Sequence, residues 1–148
     1  MTIADTGLDI RLERVVDASP TDAFAAWVDP EARRNWYALE DDWIVEAETD
    51  LRVDGKWRVR FGPSRDELYT EEGVFREIDE PHRLVYTCTF SAPDGRTFTT
   101  LNVVTFAAVA GGTHLVLEDK GFPNEGERDA HQNGWPSFLA AYERFLAR

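Results

Sequence analysis

Three histidines and a single cysteine are the first residues to consider in this 148-residue chain for metal binding or nucleophilic chemistry. His82, His114 and His131 lack the close spacing of metal ligands on one element, so we predict no metal and no other cofactor. Cys88 lies in an apolar run without a nearby cationic group, which favours a small core residue over an activated thiol. The chain contains no phosphate-binding loop, dinucleotide-binding fingerprint or nucleophile elbow. Whether it is an enzyme stays open.

His131 is the candidate for acid–base catalysis. It begins a stripe of side chains spaced four, three, four and three residues apart, a spacing that puts them on one face of a helix: His131, Trp135, Phe138, Tyr142 and Phe145. From that face His131 could bind a polar group of a ligand or act as a general base. The alternative is that it only packs or pairs within the helix, and the packing or binding role is favoured because no catalytic partner is evident.

Neighbouring carboxylates in the sequence do not form acid–base pairs with each other. Glu71-Glu72 and Asp41-Asp42 point to opposite faces if they lie on strands. A single buried carboxylate opposite His131 could still act as the catalytic partner of that histidine.

The stripe needs a helix, and the helix needs a surface to cover. Asn124 is a good N-cap for a helix that runs to the C-terminus. Within it, Pro136 cannot donate a backbone hydrogen bond and Gly134 weakens the same turn, so we expect a kink or local unwinding there.

Strand and turn patterning fills the chain from residue 42 to 120. Six segments are predicted strands: DWIVEAE, KWRVRF, LYTEEGVFREI, RLVYTCTF, TFTTLNVVTFAAV and THLVLED. A seventh is predicted around LDIRLERVV, followed by two short helices that begin at Ser19-Pro20 and at Pro30. The fold class is therefore α+β, with an antiparallel sheet of about seven strands, two short helices after the first strand and a long C-terminal helix over the sheet.

Strand periodicity divides the side chains between two faces without telling which face is concave. In the fourth strand, Val74 and Ile78 are predicted to lie opposite Tyr69, Gly73 and Phe75.

Composition narrows the class of function. The formal net charge is −12, which disfavours nucleic acids and anionic membrane surfaces as partners. A lone cysteine excludes a disulfide within the chain, and neither a signal peptide nor a membrane-spanning run is evident, so we predict a cytoplasmic protein. Residues 1–148 are predicted to form one domain, with residues 1–7 as a flexible leader.

Several blocks together resemble a known family: RVVDASPTDAFAAWVDPEARRNWY, LRVDGKWRVRF, YTEEGVFREIDEPHRLVYT, GGTHLVLEDKGFP and HQNGWPSFLAAYERFL. Their order and spacing resemble the START-like, or SRPBCC, superfamily with its helix-grip fold. Within it, the chain is similar to the AHSA1-like family, named after the C-terminal domain of the activator of Hsp90 ATPase. The resemblance covers about residues 10–146.

The resemblance implies a curved sheet that encloses an apolar cavity against the long helix, where superfamily members bind lipids, hormones and polyketides. The implied function is binding of an apolar or amphipathic small molecule, in a role that includes stress response. The alternatives are a cyclase, dehydratase or hydrolase, and a chaperone-interacting protein. Because no counterpart of the co-chaperone's separate N-terminal domain is present, an Hsp90 activator is not expected. A homodimer is allowed, and no exposed apolar pattern decides it.

Aromatic side chains near the implied cavity, together with His131, are the candidate ligand contacts. Each could instead be ordinary core, or anchor its element to the sheet. The candidates are Trp36, Tyr37, Trp57, Tyr69, Tyr86, His131, Trp135, Phe138 and Tyr142.

Overall fold

The computed structural model describes Ile3 and residues 5–148. The predicted leader over residues 1–7 thus lies partly outside the described residues. At its end, Thr6 Oγ1 donates a hydrogen bond to the carbonyl of Phe122 at 2.7 Å.

The described residues form one antiparallel sheet of seven strands and three helices, which confirms the predicted fold class. The strands are β1 (Asp9–Val16), β2 (Ile44–Thr49), β3 (Lys56–Gly62), β4 (Tyr69–Asp79), β5 (Arg83–Ser91), β6 (Thr97–Val109) and β7 (Gly112–Lys120). Their order across the sheet is β1-β7-β6-β5-β4-β3-β2. The chain therefore runs as a meander from β2 to β7, and β1 pairs with the last strand.

The helices are α1 (Pro20–Val28), α2 (Pro30–Trp36) and α3 (Glu125–Leu146). Side chains at the predicted caps bind the first free backbone N–H groups, because a helix start leaves these donors without partners. Ser19 accepts from Asp22 N at 3.2 Å, and Asn124 accepts from Glu127 N at 2.9 Å. Among the described residues, no helix is both long and apolar enough to cross a bilayer.

A bulge in β4 changes which side chains face the core. Phe75 pairs with Tyr86 while Glu77 pairs with Val85, so β4 contains one extra residue between them. Ile78 consequently packs against the same core as Phe75. Its predicted placement on the opposite face is wrong, because strict alternation fails at a bulge.

One face of the sheet, here called the inner face, packs against the helices, and the core is aromatic beneath the C-terminal half of α3. Trp27 is fully buried and contacts the rings of Trp36 and Tyr142 at centroid distances of 5.3 and 5.2 Å. The Tyr142 hydroxyl donates to the carbonyl of Ala23 at 2.5 Å. Side chains therefore fill this end of the space between sheet and helix.

Helix α3 is unbroken from Glu125 to Leu146. The local unwinding expected at Gly134 and Pro136 does not occur. Pro136 and Gln132 are both exposed, so water can solvate the carbonyl that loses its partner.

Candidate ligand-binding cleft

An open cleft of about 210 Å³ lies between the N-terminal half of α3 and strands β3 to β5. One side is the helix face, the floor is the sheet, and the segment after α2 closes the far side. The lining residues are Tyr37, Leu39, Trp43, Phe61, Tyr69, Glu71, Phe90, Arg96, Glu127, Ala130, His131, Gly134, Trp135 and Phe138.

Aromatic rings form most of the walls. The rings of Trp43 and Tyr69 are almost parallel, with centroids 6.2 Å apart, and Phe61 lies 5.6 Å from Tyr69 in a similar orientation. The ring of Phe138 on α3 meets the ring of Phe61 edge to face, with centroids 5.8 Å apart. It is tilted against the ring of Tyr37, at a centroid distance of 5.2 Å. Rings from three separate parts of the chain thus enclose one space.

Glu71 is the buried charged residue of the floor. It is only 8% exposed, because it shares the inner face of β4 with Tyr69. The Tyr37 hydroxyl donates a hydrogen bond to Glu71 Oε1. Burial, and next the charge of Glu71, raise the pKa of Tyr37 well above its ordinary value, so the phenol stays a neutral donor.

A second buried carboxylate, Asp119, lies on β7. It accepts a hydrogen bond at Oδ2 from Trp135 Nε1 at 3.1 Å, which ties α3 to the sheet. Burial raises the pKa of Asp119 from 3.8 to about 6, although hydrogen bonds from Thr100 and Trp135 oppose the shift. Burial also raises the pKa of the Cys88 thiol well above its ordinary value, so this thiol stays protonated and is not an activated nucleophile.

Arg33 is a buried cation below the cleft. Its Nε donates to the carbonyl of Trp27 at 2.6 Å. Its guanidinium carbon lies 5.0 Å from the ring centroid of Trp57 and 5.5 Å from that of Tyr37. Contacts with ring faces help to stabilise a buried cation, and at the Cys88 thiol the charge of Arg33 acts against those of Glu71 and Asp119.

His131 forms part of the helical wall. Its Nδ1 lies 3.1 Å from the carbonyl oxygen of Glu127 in the preceding helical turn, and because a carbonyl oxygen only accepts, Nδ1 is the donor of this hydrogen bond. The ring contacts Phe90, Phe98 and Phe122 at centroid distances of 4.7, 5.3 and 5.2 Å. These contacts fix the orientation of the imidazole.

An ion-pair cluster closes one end of the cleft. Arg96, just before β6, is 2.7 Å from Glu127 Oε1 in the first turn of α3 and 2.8 Å from Asp94 Oδ2. The cluster connects the β5–β6 turn to the start of α3.

Residues 17–147 match the family described as activator of Hsp90 ATPase homolog 1-like protein. The chain belongs to this AHSA1-like family. The predicted resemblance is therefore confirmed.

Solved structures share this AHSA1-like, SRPBCC-type fold over nearly the whole chain. A protein from Rhizobium leguminosarum is 27% identical, covers 95% of this chain and 94% of its own, and has a TM-score of 0.80. A protein from Chromobacterium violaceum is 23% identical, with coverages of 95% and 98% and a TM-score of 0.83. The AHSA1-like protein from Aeromonas hydrophila is 24% identical, with coverages of 94% and 92% and a TM-score of 0.74. No curated protein matches the chain.

The cleft of this AHSA1-like protein brings together five of the nine candidate ligand contacts: Tyr37, Tyr69, His131, Trp135 and Phe138. The structure places the other four in the core beside it: Trp36, Trp57, Tyr86 and Tyr142. There, Trp57 Nε1 donates to the carbonyl of Thr87 at 3.0 Å, and Trp27 Nε1 donates to the Tyr86 hydroxyl at 3.1 Å. Ligand contact stays a prediction for all nine.

Sequence reasoning allowed one buried carboxylate opposite His131 but did not identify Glu71 or Asp119 as buried. Strand periodicity contained the signal, because Glu71 alternates with Tyr69 and Asp119 alternates with Leu117 on faces that are otherwise apolar. It also missed three further aromatic residues that line the cleft: Phe61 on β3, Phe90 on β5 and Trp43 just before β2.

Proposed function

We propose that this protein binds a small apolar or amphipathic molecule in the cleft. The observation that carries the proposal is the enclosure of a 210 Å³ space by aromatic rings above the buried carboxylate of Glu71. Small-molecule sites combine apolar and aromatic walls with a few convergent polar groups. This arrangement supports binding without assigning a reaction.

The size of the cleft limits the ligand. Sites for drug-sized ligands usually measure about 300–1,000 Å³, and an apolar cavity of about 150 Å³ accepts benzene. A space of 210 Å³ fits a compound with one ring and a short substituent. A whole lipid or steroid, the ligand classes that the wider superfamily suggests, would extend beyond this space.

Gly134 supports the proposal. It lies in the middle of α3, where glycine costs about 1 kcal/mol relative to alanine. A Cβ atom at this position would have no neighbour within 4 Å, so packing against the protein does not require glycine. Because Gly134 lines the cleft, the missing side chain keeps the cleft wall open.

Native mass spectrometry of the purified protein, followed by addition of benzyl alcohol, tests the proposal. We expect either a co-purified small mass that is lost on denaturation or saturable uptake of one benzyl alcohol molecule. Gly134→Leu should abolish both, because its side chain would extend into the cleft. A wild-type protein that carries no such mass and takes up neither benzyl alcohol nor its cationic analogue benzylamine would refute the proposal.

A second candidate is an enzyme that uses acid–base chemistry, and the Tyr37–Glu71 hydrogen bond favours it. A carboxylate at the floor of an apolar cleft can act as a general base, and a hydrogen-bonded phenol fixes its position. Under this candidate, wild-type protein would change the mass of a co-purified ligand on incubation, whereas Glu71→Gln would leave that mass unchanged. His131→Ala would show whether the imidazole takes part. Binding to Hsp90, dimer formation, a stress-related role and cytoplasmic location stay predictions.

A further inference from the structure

We infer that the cleft selects a positively charged ligand, a small organic ammonium ion with one apolar group. This inference rests on the proposed function and names the class of its ligand. It depends on the ring faces that surround the space, on the carboxylate at the floor and on the sign of the charges that line the cleft.

The first argument is the aromatic enclosure. Trp43, Phe61 and Tyr69 stand side by side with nearly parallel rings, and Phe138 meets Phe61 at 88° from the opposite wall. The faces of such rings are electron-rich and attract cations, and quaternary ammonium groups are recognised by enclosures of this kind. Trp and Tyr, the ring types that bind cations best, are both present here.

The second argument is the position of Glu71. Its side chain lines the cleft although the residue is 8% exposed, so its charge acts where water screens it least. Tyr37 donates to Oε1, and Cys88 provides a further hydrogen bond. A carboxylate accepts about four hydrogen bonds, so Glu71 retains capacity for an N–H donor of a ligand.

The third argument is the charge around the space. Two carboxylates and one guanidinium line the cleft, namely Glu71, Glu127 and Arg96. The Arg96 guanidinium is held by Asp94 and Glu127 at the rim, so its charge is already neutralised. Among the described residues, the buried charged side chains are one guanidinium, Arg33, and two carboxylates, Glu71 and Asp119. The net charge of −12 adds a field that attracts cations to the whole chain.

Three probes that share one ring and differ in charge test the inference: benzylamine, benzyl alcohol and benzoate, measured by calorimetric titration at pH 7. We expect benzylamine to bind about tenfold more tightly than benzyl alcohol, and benzoate to bind most weakly, because charge and ring contacts favour only the cation. The order of the three affinities is measured on the wild-type protein alone.

Two variants test whether Glu71 causes the preference for benzylamine. Glu71→Gln keeps an oxygen that accepts from Tyr37 but removes the charge, and it should abolish the preference for benzylamine. The control, Glu72→Gln, removes the same charge from the neighbouring exposed residue, whose carboxylate lies 3.5 Å from Arg58, and it should retain the preference.

Equal or tighter binding of benzyl alcohol or benzoate would overturn the inference and leave the proposed function intact. An equal loss of preference in both variants would overturn the role of Glu71. Failure of all three probes to bind would overturn both the inference and the proposed function.

Discussion

Asn102 on β6 and Asp119 on β7 lie directly opposite each other, and both are buried on the inner face of the sheet. Within the part of the chain that the structure describes, Oδ1 of each side chain has no hydrogen-bond partner. Facing residues of adjacent strands have Cβ atoms about 5 Å apart, close enough for their side chains to meet. A proton on Asp119 Oδ1 would convert two unpaired acceptors into a donor and an acceptor. The raised pKa of Asp119 agrees with this arrangement.

Asp119 should therefore make stability depend on pH. Its pKa in the folded state, about 6, is above the ordinary value of 3.8, so the folded protein binds this proton more tightly than the unfolded chain does. The contribution is fully present below the ordinary value and is lost as pH rises toward 6. The loss is about 3 kcal/mol, at roughly 1.4 kcal/mol for each pKa unit.

The measurement is urea denaturation of wild-type protein and Asp119→Asn between pH 4 and 7.5. Since other carboxylates titrate in both proteins, the difference between their unfolding free energies isolates Asp119. We expect the variant to gain stability relative to wild type as pH rises. A difference that stays constant with pH would contradict the assignment.

Trp135→Phe should be destabilising by an amount that depends on the charge of Asp119. The variant keeps a ring against Trp27, which lies 6.1 Å away, and loses the bond from Nε1 to Asp119. Hydrogen bonds to charged groups contribute about 1.5–3 kcal/mol, and neutral ones about 1 kcal/mol. Chemical denaturation should show a larger loss at pH 7.5 than at pH 4.5, and an equal loss would argue against ionisation of Asp119 in this interval.

Two substitutions of Gly134 should affect stability and ligand binding separately. Gly134→Ala should raise the unfolding free energy by about 0.5–1 kcal/mol, because alanine favours the helix and no atom obstructs its Cβ. Gly134→Leu should remove benzyl alcohol binding while the protein stays folded. The control is Gly126→Ala, which changes another glycine of α3 outside the cleft and should leave the affinity unchanged. Wild-type affinity in Gly134→Leu would show that the probe binds elsewhere.

Two tyrosines distinguish the cleft from the core. Tyr142→Phe removes the hydrogen bond to Ala23 and should cost about 1 kcal/mol of stability without changing the affinity for benzyl alcohol. Tyr37→Phe frees Glu71 Oε1 next to the cleft and should change that affinity. Calorimetric titration of both variants gives the comparison, and an altered affinity in Tyr142→Phe alone would reverse the assignment of the two residues.

Local sequence signals predicted the elements of this fold well, because each has a local physical cause. Ser19 and Asn124 satisfy the first N–H groups of their helices, and alternation of apolar residues marks the strands. The β4 bulge was not predictable from alternation, so Ile78 was placed on the wrong face.

The site was predicted less completely than the fold, because it depends on how distant segments meet. Helical spacing correctly grouped Trp135 and Phe138 on one face of α3. Tyr142 lies one turn farther along and is buried against Trp27 and Trp36, a contact that no local pattern shows. The pairing of Tyr37 with Glu71 joins residues 34 positions apart. The volume of the cleft follows from the packing of all these side chains and has no counterpart in a single segment.

The central claim, that the cleft binds a small molecule, is tested most directly by the indole N–H signals of the five tryptophans. Benzylamine and benzyl alcohol would be titrated into ¹⁵N-labelled protein and followed by two-dimensional NMR. Trp43 and Trp135 line the cleft, whereas Trp57 lies in the core and provides an internal control. We predict saturable shifts of the Trp43 and Trp135 signals with a constant Trp57 signal. Unchanged Trp43 and Trp135 signals at millimolar concentrations of both probes, or shifts of equal size at Trp57, would contradict the claim.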